Sequence, residues 1–191
     1  SRTEYRLLHR QDNADQRLSA IGHALGLVDD ASYQRVVEKY QQVDKEEKRL
    51  EHAGASPSPA LDEMLASHGE PPAPNGARLA DLLRRPRIGY DDLAPFDPAR
   101  PELPAAVKES VEISVKYRGY IEKQLRQVAE MRQLEEKPLP ADLDYLNMDG
   151  LRLEARQKLD RIRPLNVGQA SRISGVSPAD IAVLLVAMQK A

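Results

Sequence analysis

The chain has 191 residues and a formal net charge of −2, with 28 Lys and Arg against 30 Asp and Glu. Hydrophobic residues make up 41% and charged residues 30%, which is typical of a folded protein and excludes disorder along the whole chain. The absence of Cys excludes disulfides and thiolate metal sites, and the four His residues lack the spacing of metal ligands. Because the net charge is close to zero, any surface that binds a polyanion must be local.

No segment is long and apolar enough to span a membrane, and none has the motif of a nucleotide-binding loop. The longest apolar run, Ile181 to Met188, is far shorter than the roughly 20 residues that cross a bilayer. A P-loop, a G-x-G-x-x-G turn and a nucleophile elbow are all absent from the sequence. We expect a cytoplasmic protein without a metal ion and without catalytic residues of its own. The chain opens Ser-Arg-Thr without Met, so we treat it as a piece of a longer protein.

The first third has the apolar spacing of two helices. A first helix is predicted from Asn13, capped by Asp12. Its predicted buried stripe consists of Leu18, Ile21 and Leu25. A second helix is predicted from Asp30 to about Ala53, with heptad-like spacing that favours lengthwise packing on a neighbour.

The middle third is rich in proline and is predicted to be largely connector. Between residues 54 and 104 we expect two short helices, at about 59–68 and 78–85, with irregular segments around them. A long helix is predicted from Ala105 to about Glu136. Residues 111–117 alternate as a strand would, but helical spacing continues beyond them. The length of this helix suits antiparallel packing on the Asp30 helix.

The last part predicts a helix at about 151–162 and two short helices around residues 174–176. Ser177-Pro-Ala-Asp180 has the hydroxyl cap, first-turn proline and acidic residue of a helix start. The predicted fold is all-α: an elongated helical region with long antiparallel helices and a small C-terminal helical subdomain. The predicted division is a leading segment at 1–12, a long-helix region at 13–150 with connectors at about 54–104, and the subdomain at 151–191.

Two groups of residues have the chemistry of RNA binding. Three arginines spaced four apart, Arg2, Arg6 and Arg10, would share one face of a helix or an extended segment and could grip phosphates. On the long helix, Tyr117 and Tyr120 lie between Lys116 and Lys123, and aromatic rings between cations can stack unpaired bases. The alternatives are that the arginines pair with nearby acidic residues and that the tyrosines are buried.

The segment from Leu151 onward is the most basic, with seven basic residues against three acidic ones. Such a stretch, which includes Arg163, could bind a polyanion or could be a set of ordinary solvated helix faces. The two terminal helices resemble a helix-turn-helix, but its outward positions, predicted as Ala179, Asp180, Val183 and Ala187, are unsuited to reading DNA bases. The apolar helix 181–188 would leave one side, including Val183, Val186 and Ala187, for a protein partner.

Six segments follow one another along the chain in the order of a known family. They are Ser1-Arg-x-Glu-Tyr-Arg-Leu, Asp12-Asn-Ala-Asp-x-Arg-Leu, Leu82-Leu-Arg-Arg-Pro, Val115-Lys-Tyr-x-Gly-Tyr-Ile, Pro140-x-x-Leu-Asp-Tyr and Gly168-Gln-Ala-Ser-Arg-Ile-Ser-Gly-Val-Ser-Pro-Ala-Asp. Together they resemble the C-terminal region of the MnmG (GidA) family of tRNA uridine 5-carboxymethylaminomethyl modification enzymes.

The resemblance implies a homodimeric, FAD-dependent parent enzyme that uses NADH and works with the GTPase MnmE on the wobble uridine of certain tRNAs. It implies that the flavin fold lies outside this chain, which would hold tRNA and the GTPase. The candidate tRNA contacts are Arg2, Arg6, Arg10, Arg17, Lys116, Tyr117, Tyr120, Lys123 and Arg163. The candidate partner contacts are Ser171, Arg172, Val183, Val186 and Ala187. A purely structural interaction module that does not touch tRNA is the alternative.

Overall fold

The computed structural model describes residues 5–190 and confirms the all-α class. The described α-helices are α1 (Ala14–Ala24), α2 (Asp30–His52), α3 (Pro59–Ser67), α4 (Leu79–Leu83), α5 (Ala105–Glu135), α6 (Leu153–Ile162), α7 (Val167–Ser171) and α8 (Pro178–Lys190). Two 3₁₀ turns cover Arg6–Leu8 and Asp91–Phe96. Two short strands, β1 (Gly54–Ala55) and β2 (Ala77–Arg78), pair antiparallel with Gly54 opposite Arg78.

The chain forms two compact units, Ser1–Glu122 and Lys123–Ala191, each with its own hydrophobic core. The division falls inside α5, earlier than the predicted boundary between residues 150 and 151. The second unit starts earlier because Leu139 and Tyr145 are buried in its core together with Leu159 of α6.

The middle third contains the two short helices that the sequence predicted, α3 and α4, but it also supplies most of the core of the first unit, which its interpretation as connector did not anticipate. Its fully buried side chains include Leu61, Leu65, Leu79, Leu82, Leu83, Ile88 and Leu93. The prolines do interrupt regular structure, but they also start it: Ser58 accepts a bond from the Leu61 N–H, with Pro59 in the first turn of α3. Proline content therefore indicated short elements here and said nothing about burial.

A buried ionic cluster ties α2 to the proline-rich segment. The guanidinium of Arg49 donates to Glu46 Oε1 at 2.7 Å and to Asp97 Oδ1 at 2.9 Å, and both carboxylates are almost fully buried. The hydroxyl of Tyr90 also donates to Glu46, at 2.7 Å. Burial, together with this bond to a carboxylate, raises the pKa of Tyr90 to about 12. Bonding to Glu46 and to Asp97 raises the pKa of Arg49.

The predicted buried stripe of α1 is wrong: Leu18, Ile21 and Leu25 are all exposed. α1 instead meets α2 through its polar side, where the Asp15 carboxylate binds Lys39 Nζ at 2.9 Å. The N-cap position is occupied by Asn13, whose side chain bonds to Arg17 and to the Leu8 carbonyl and makes no capping bond. The predicted cap, Asp12, pairs with Arg10. Apolar periodicity correctly indicated a helix, but it does not show which element covers the apolar face.

The contacts between α2 and α5 differ from the antiparallel packing expected from the helix lengths. Tyr90 bonds to Glu46 of α2 through its hydroxyl and to Glu112 of α5 through its backbone N–H. Further along both helices, Arg118 of α5 pairs with Glu51 of α2. Antiparallel packing requires residue numbers to run in opposite directions along the two helices, whereas here they advance in the same direction.

The start of α8 is fixed by a reciprocal cap that the sequence predicted. The Ser177 backbone N–H donates to Asp180 Oδ2 at 2.8 Å, and the Asp180 N–H points back at the Ser177 hydroxyl. Asp180 is nearly fully buried and binds the guanidinium of Arg152, so it is not the outward residue that the helix-turn-helix interpretation expected. Bonding to Arg152 lowers the pKa of Asp180 well below its usual value.

Candidate nucleic-acid interface

Residues 5–13, the opening segment, are held in shape by the side chains of Arg10 and Arg17. Arg10 donates to the Leu7 carbonyl at 2.6 Å and to Asp12 Oδ1 at 3.0 Å. Arg17 donates to Asn13 Oδ1 at 2.8 Å and reaches the Arg10 carbonyl at 3.3 Å. The segment is thus a 3₁₀ turn followed by further turns, so Arg6 and Arg10 lie neither on one helix nor on one extended strand.

Of the arginines predicted to bind tRNA, those at positions 6, 10 and 17 fall within the described part, and Arg2 lies outside it. The Arg6 side chain is exposed. Arg10 pairs with Asp12, as expected if the arginines bind nearby acidic residues and not tRNA. Asp15, another nearby acidic residue, binds Lys39 of α2. Arg10 and Arg17 therefore hold the shape of the segment.

The structure brings the opening segment to the tyrosines of α5. The Arg10 Cζ atom lies 5.8 Å from the centroid of the Tyr117 ring, within the range of a cation–π contact. The sequence could not show this proximity, because the two residues are far apart in the chain. Two of the predicted groups of tRNA-binding residues, one from each end of the first unit, thus meet at one place.

Both tyrosines are exposed, so the interpretation that they are core residues is wrong. Tyr117 is 41% exposed and Tyr120 is 65% exposed. Their ring centroids lie 6.4 Å apart and the ring planes are tilted by 54°. On the helix, Tyr120 lies opposite Val111 and Val115, which are buried in the core. The pair therefore presents aromatic surface to the solvent.

The cations on α5 have different surroundings. Lys116 Nζ binds Glu112 Oε1 at 2.7 Å and is mostly covered. Lys123 belongs to the second unit, where its side chain is exposed and makes no ion pair with a described residue. Of the two lysines, Lys123 has the side chain free to bind a phosphate.

Most of the basic residues in the last segment are engaged within the second unit. Arg163 has a left-handed backbone with φ 50°, donates to the Leu143 carbonyl at 2.8 Å, and lies with Cζ 5.3 Å from the Tyr145 ring. Arg152, Arg156, Lys158 and Arg172 also bond to carboxylates or backbone carbonyls. Arg163 thus holds a loop in place, and the excess of basic residues overstated the cationic surface.

The predicted partner residues fall into two groups. Val183, Val186 and Ala187 of α8 line an apolar depression of about 480 Å³ that also includes Met148, and Val186 is 52% exposed. Ser171 and Arg172 are turned elsewhere, because Ser171 donates to the Gly168 carbonyl and Arg172 to Glu135 at the end of α5.

The described residues provide neither a metal site nor a membrane span. Within 5–190, no cluster of three or more His, Asp or Glu residues has the geometry to hold a metal ion. Among the described helices, none combines the length and the apolar character that a bilayer span requires.

The fold and the exposed groups define a mainly helical protein in two units, with two exposed tyrosines beside the Arg10 guanidinium on the first and an apolar depression on the second. Two family models match the chain: the tRNA modifying enzyme MnmG/GidA C-terminal helical domain over residues 30–125, and the MnmG/GidA C-terminal helical bundle over residues 127–191. The chain therefore belongs to the MnmG/GidA family and corresponds to its C-terminal helical domains.

Curated relatives agree with this assignment along the whole chain. The tRNA uridine 5-carboxymethylaminomethyl modification enzymes MnmG of Caldicellulosiruptor saccharolyticus and Lachnoclostridium phytofermentans are 48% and 49% identical to it, each over 100% of this chain and 30% of their own length. The chain thus spans about a third of the length of these relatives. The structure of Aquifex aeolicus GidA in the form II crystal is similar to this chain, with 34% sequence identity and a TM-score of 0.62. The similarity covers 98% of this chain and 29% of the GidA chain.

Proposed function

We propose that this chain is the tRNA-docking region of an enzyme that modifies tRNA uridines. The parent enzyme would add a carboxymethylaminomethyl group to the wobble uridine of certain tRNAs, as the family resemblance implies. The observation that carries the proposal is the meeting of the opening segment with the exposed tyrosines of α5 through Arg10 and Tyr117. A cation next to exposed rings is suited to RNA that has unpaired bases.

The proposed mechanism is positional. Exposed cations such as Arg6 and Lys123 neutralise phosphates, while Tyr117 and Tyr120 contact bases. Arg10 and Arg17 keep the opening segment in one conformation, so that little conformational freedom is lost when RNA binds. Held in this way, the wobble base would be presented to a reactive site elsewhere in the parent protein.

The resemblance also implies FAD, with NADH as the reductant, in the parent protein. A depression beside the start of α5 is lined by four acidic residues, Asp91, Asp92, Glu109 and Glu112, and by one basic residue, Lys108. These carboxylates would repel the pyrophosphate of a dinucleotide, which proteins usually bind with backbone N–H groups at a helix N-terminus. The residues of this depression do not fit FAD, and we assign no step through it to this chain.

A second part of the proposal concerns the α8 face, which would bind the MnmE GTPase. An apolar depression with an exposed rim residue is typical of a surface that another protein covers. We expect Val186→Asp to abolish binding of the purified GTPase, because it places a charge in the depression, and Leu165→Asp, at another exposed position of the same unit, to leave it unchanged. If calorimetry shows that both variants bind the GTPase equally well, the proposal that α8 binds the GTPase is wrong.

A purely structural helical module is the competing function. It is favoured by the internal bonding of Arg152, Arg156, Lys158 and Arg163, which leaves fewer cations for a nucleic acid. The two functions differ in their prediction for tRNA: a docking region binds it with an affinity that falls as salt rises, whereas a structural module does not bind it.

Lys123→Gln provides a test with a matched control. We expect this variant to weaken binding of fluorescent tRNA and to make the slope of log affinity against log salt shallower by about 1, because one phosphate contact is lost. The control is Lys45→Gln on α2, where an exposed lysine likewise makes no ion pair with a described residue. If the two variants bind alike, Lys123 is not a phosphate contact.

A further inference from the structure

Gly119 occupies a costly position on α5. It lies inside a helix of 31 residues, between the two exposed tyrosines. Glycine in a helix interior destabilises the helix relative to alanine, because it loses more backbone freedom on folding. An isolated glycine in a helical sequence pattern often marks a packing or functional requirement.

Packing among the residues that the structure describes does not explain this glycine. Apart from its own chain neighbours and helix backbone, a Cβ atom built on Gly119 would meet no atom of the described residues within 4 Å, so none of the described helices or side chains needs the space. By contrast, a Cβ on Gly168 would lie 3.1 Å from the backbone N of Glu135, which explains that glycine by the close approach of α7 to α5. The open space at Gly119 faces solvent.

The two tyrosines beside it have unequal freedom. Tyr117 is the less exposed ring and has the Arg10 guanidinium 5.8 Å from its centroid. Tyr120 is more exposed, and no cation of the described residues lies over its ring. Tyr117 thus has one neighbouring cation near its ring, while Tyr120 has a face on which a further planar group can stack.

We propose that Tyr120 stacks one unpaired base of the bound RNA, and that Gly119 leaves room for the sugar and phosphate of that nucleotide to lie against α5. Tyr117, with the Arg10 guanidinium near its ring, lies at the side of this base. The inference rests on the proposed tRNA docking and narrows it: the RNA element bound here is an unpaired loop, since paired bases do not expose their faces for stacking.

The test measures RNA affinity and thermal stability on the same variants. Tyr120→Ala is expected to weaken binding of an RNA hairpin with an unpaired loop by about 5- to 100-fold, the usual range for loss of one base–aromatic stack. Tyr120→Phe keeps the ring and should retain wild-type affinity. Leu27→Ala changes an 80% exposed side chain of the same unit and serves as the control.

Gly119→Ala gives the sharper result, because its effects on folding and on binding should have opposite signs. We expect the melting temperature to rise by about 1–4 °C, since alanine favours the helix. RNA affinity should fall at least several-fold, because the added methyl group occupies the space of the nucleotide. A glycine with a purely structural role would not weaken binding when its replacement stabilises the fold.

The outcomes separate this inference from the proposed function. If the wild-type chain binds neither the hairpin nor tRNA, the proposed function itself fails. If it binds tRNA but Tyr120→Ala and Gly119→Ala bind as tightly as wild type, only the inference fails. If a fully paired RNA duplex binds as tightly as the hairpin, the unpaired-base recognition is wrong.

Discussion

Leu82→Ala is expected to lower the free energy of unfolding by about 2–5 kcal/mol, the usual cost of removing a buried leucine side chain. Leu82 lies on the five-residue helix α4 in the proline-rich third and is fully buried. Its loss would leave a cavity in the core of the first unit that short, proline-bounded elements cannot easily close. Chemical denaturation monitored by circular dichroism measures the effect.

The matched control for this substitution is Leu27→Ala. Leu27 is 80% exposed, so the same change of side chain should alter the free energy of unfolding by less than about 0.5 kcal/mol. Comparable losses in the two variants would mean that the middle third does not form the core of the first unit.

Arg49→Ala is expected to cost about 3–5 kcal/mol, because it leaves two carboxylates buried without their cation. Glu46 and Asp97 have almost no exposed side-chain surface, and Arg49 bonds to both. The matched control is Arg84→Ala, which breaks the partly exposed pairs with Glu51 and Asp81 and should cost less than about 1 kcal/mol.

A double variant shows whether the loss comes from an unpaired charge. Adding Glu46→Gln to Arg49→Ala removes one buried negative charge while the amide oxygen can still accept the Tyr90 hydroxyl. We expect the double variant to be more stable than Arg49→Ala alone, measured by the same denaturation. If the double variant is less stable than Arg49→Ala by as much as Glu46→Gln alone costs the wild type, the unpaired buried charge is not the cause of the loss.

Local patterns predicted the helices well and their environments poorly. The observed bounds of α2 and α5 lie within a residue or two of the predicted ones, because helical spacing, caps and prolines act over a few residues. The burial of Leu82 and the exposure of Leu18 could not be predicted in this way, because each depends on which distant element covers the side chain.

The candidate site shows the same limit. The sequence identified Tyr117 and Tyr120 from residue type and spacing, whereas the contact of Arg10 with Tyr117 depends on the tertiary fold. It also counted Arg163 as a candidate tRNA contact, although that side chain bonds to the Leu143 carbonyl. Composition gives the number of cations, and only the structure distinguishes engaged cations from free ones.

The most direct measurement of the central claim is a titration of tRNA with the wild-type chain over a range of salt concentrations. If the chain docks tRNA through exposed cations and tyrosines, it should bind saturably at low salt, and log affinity should fall linearly and steeply with log salt. Absence of saturable binding at the lowest salt concentration would contradict the claim.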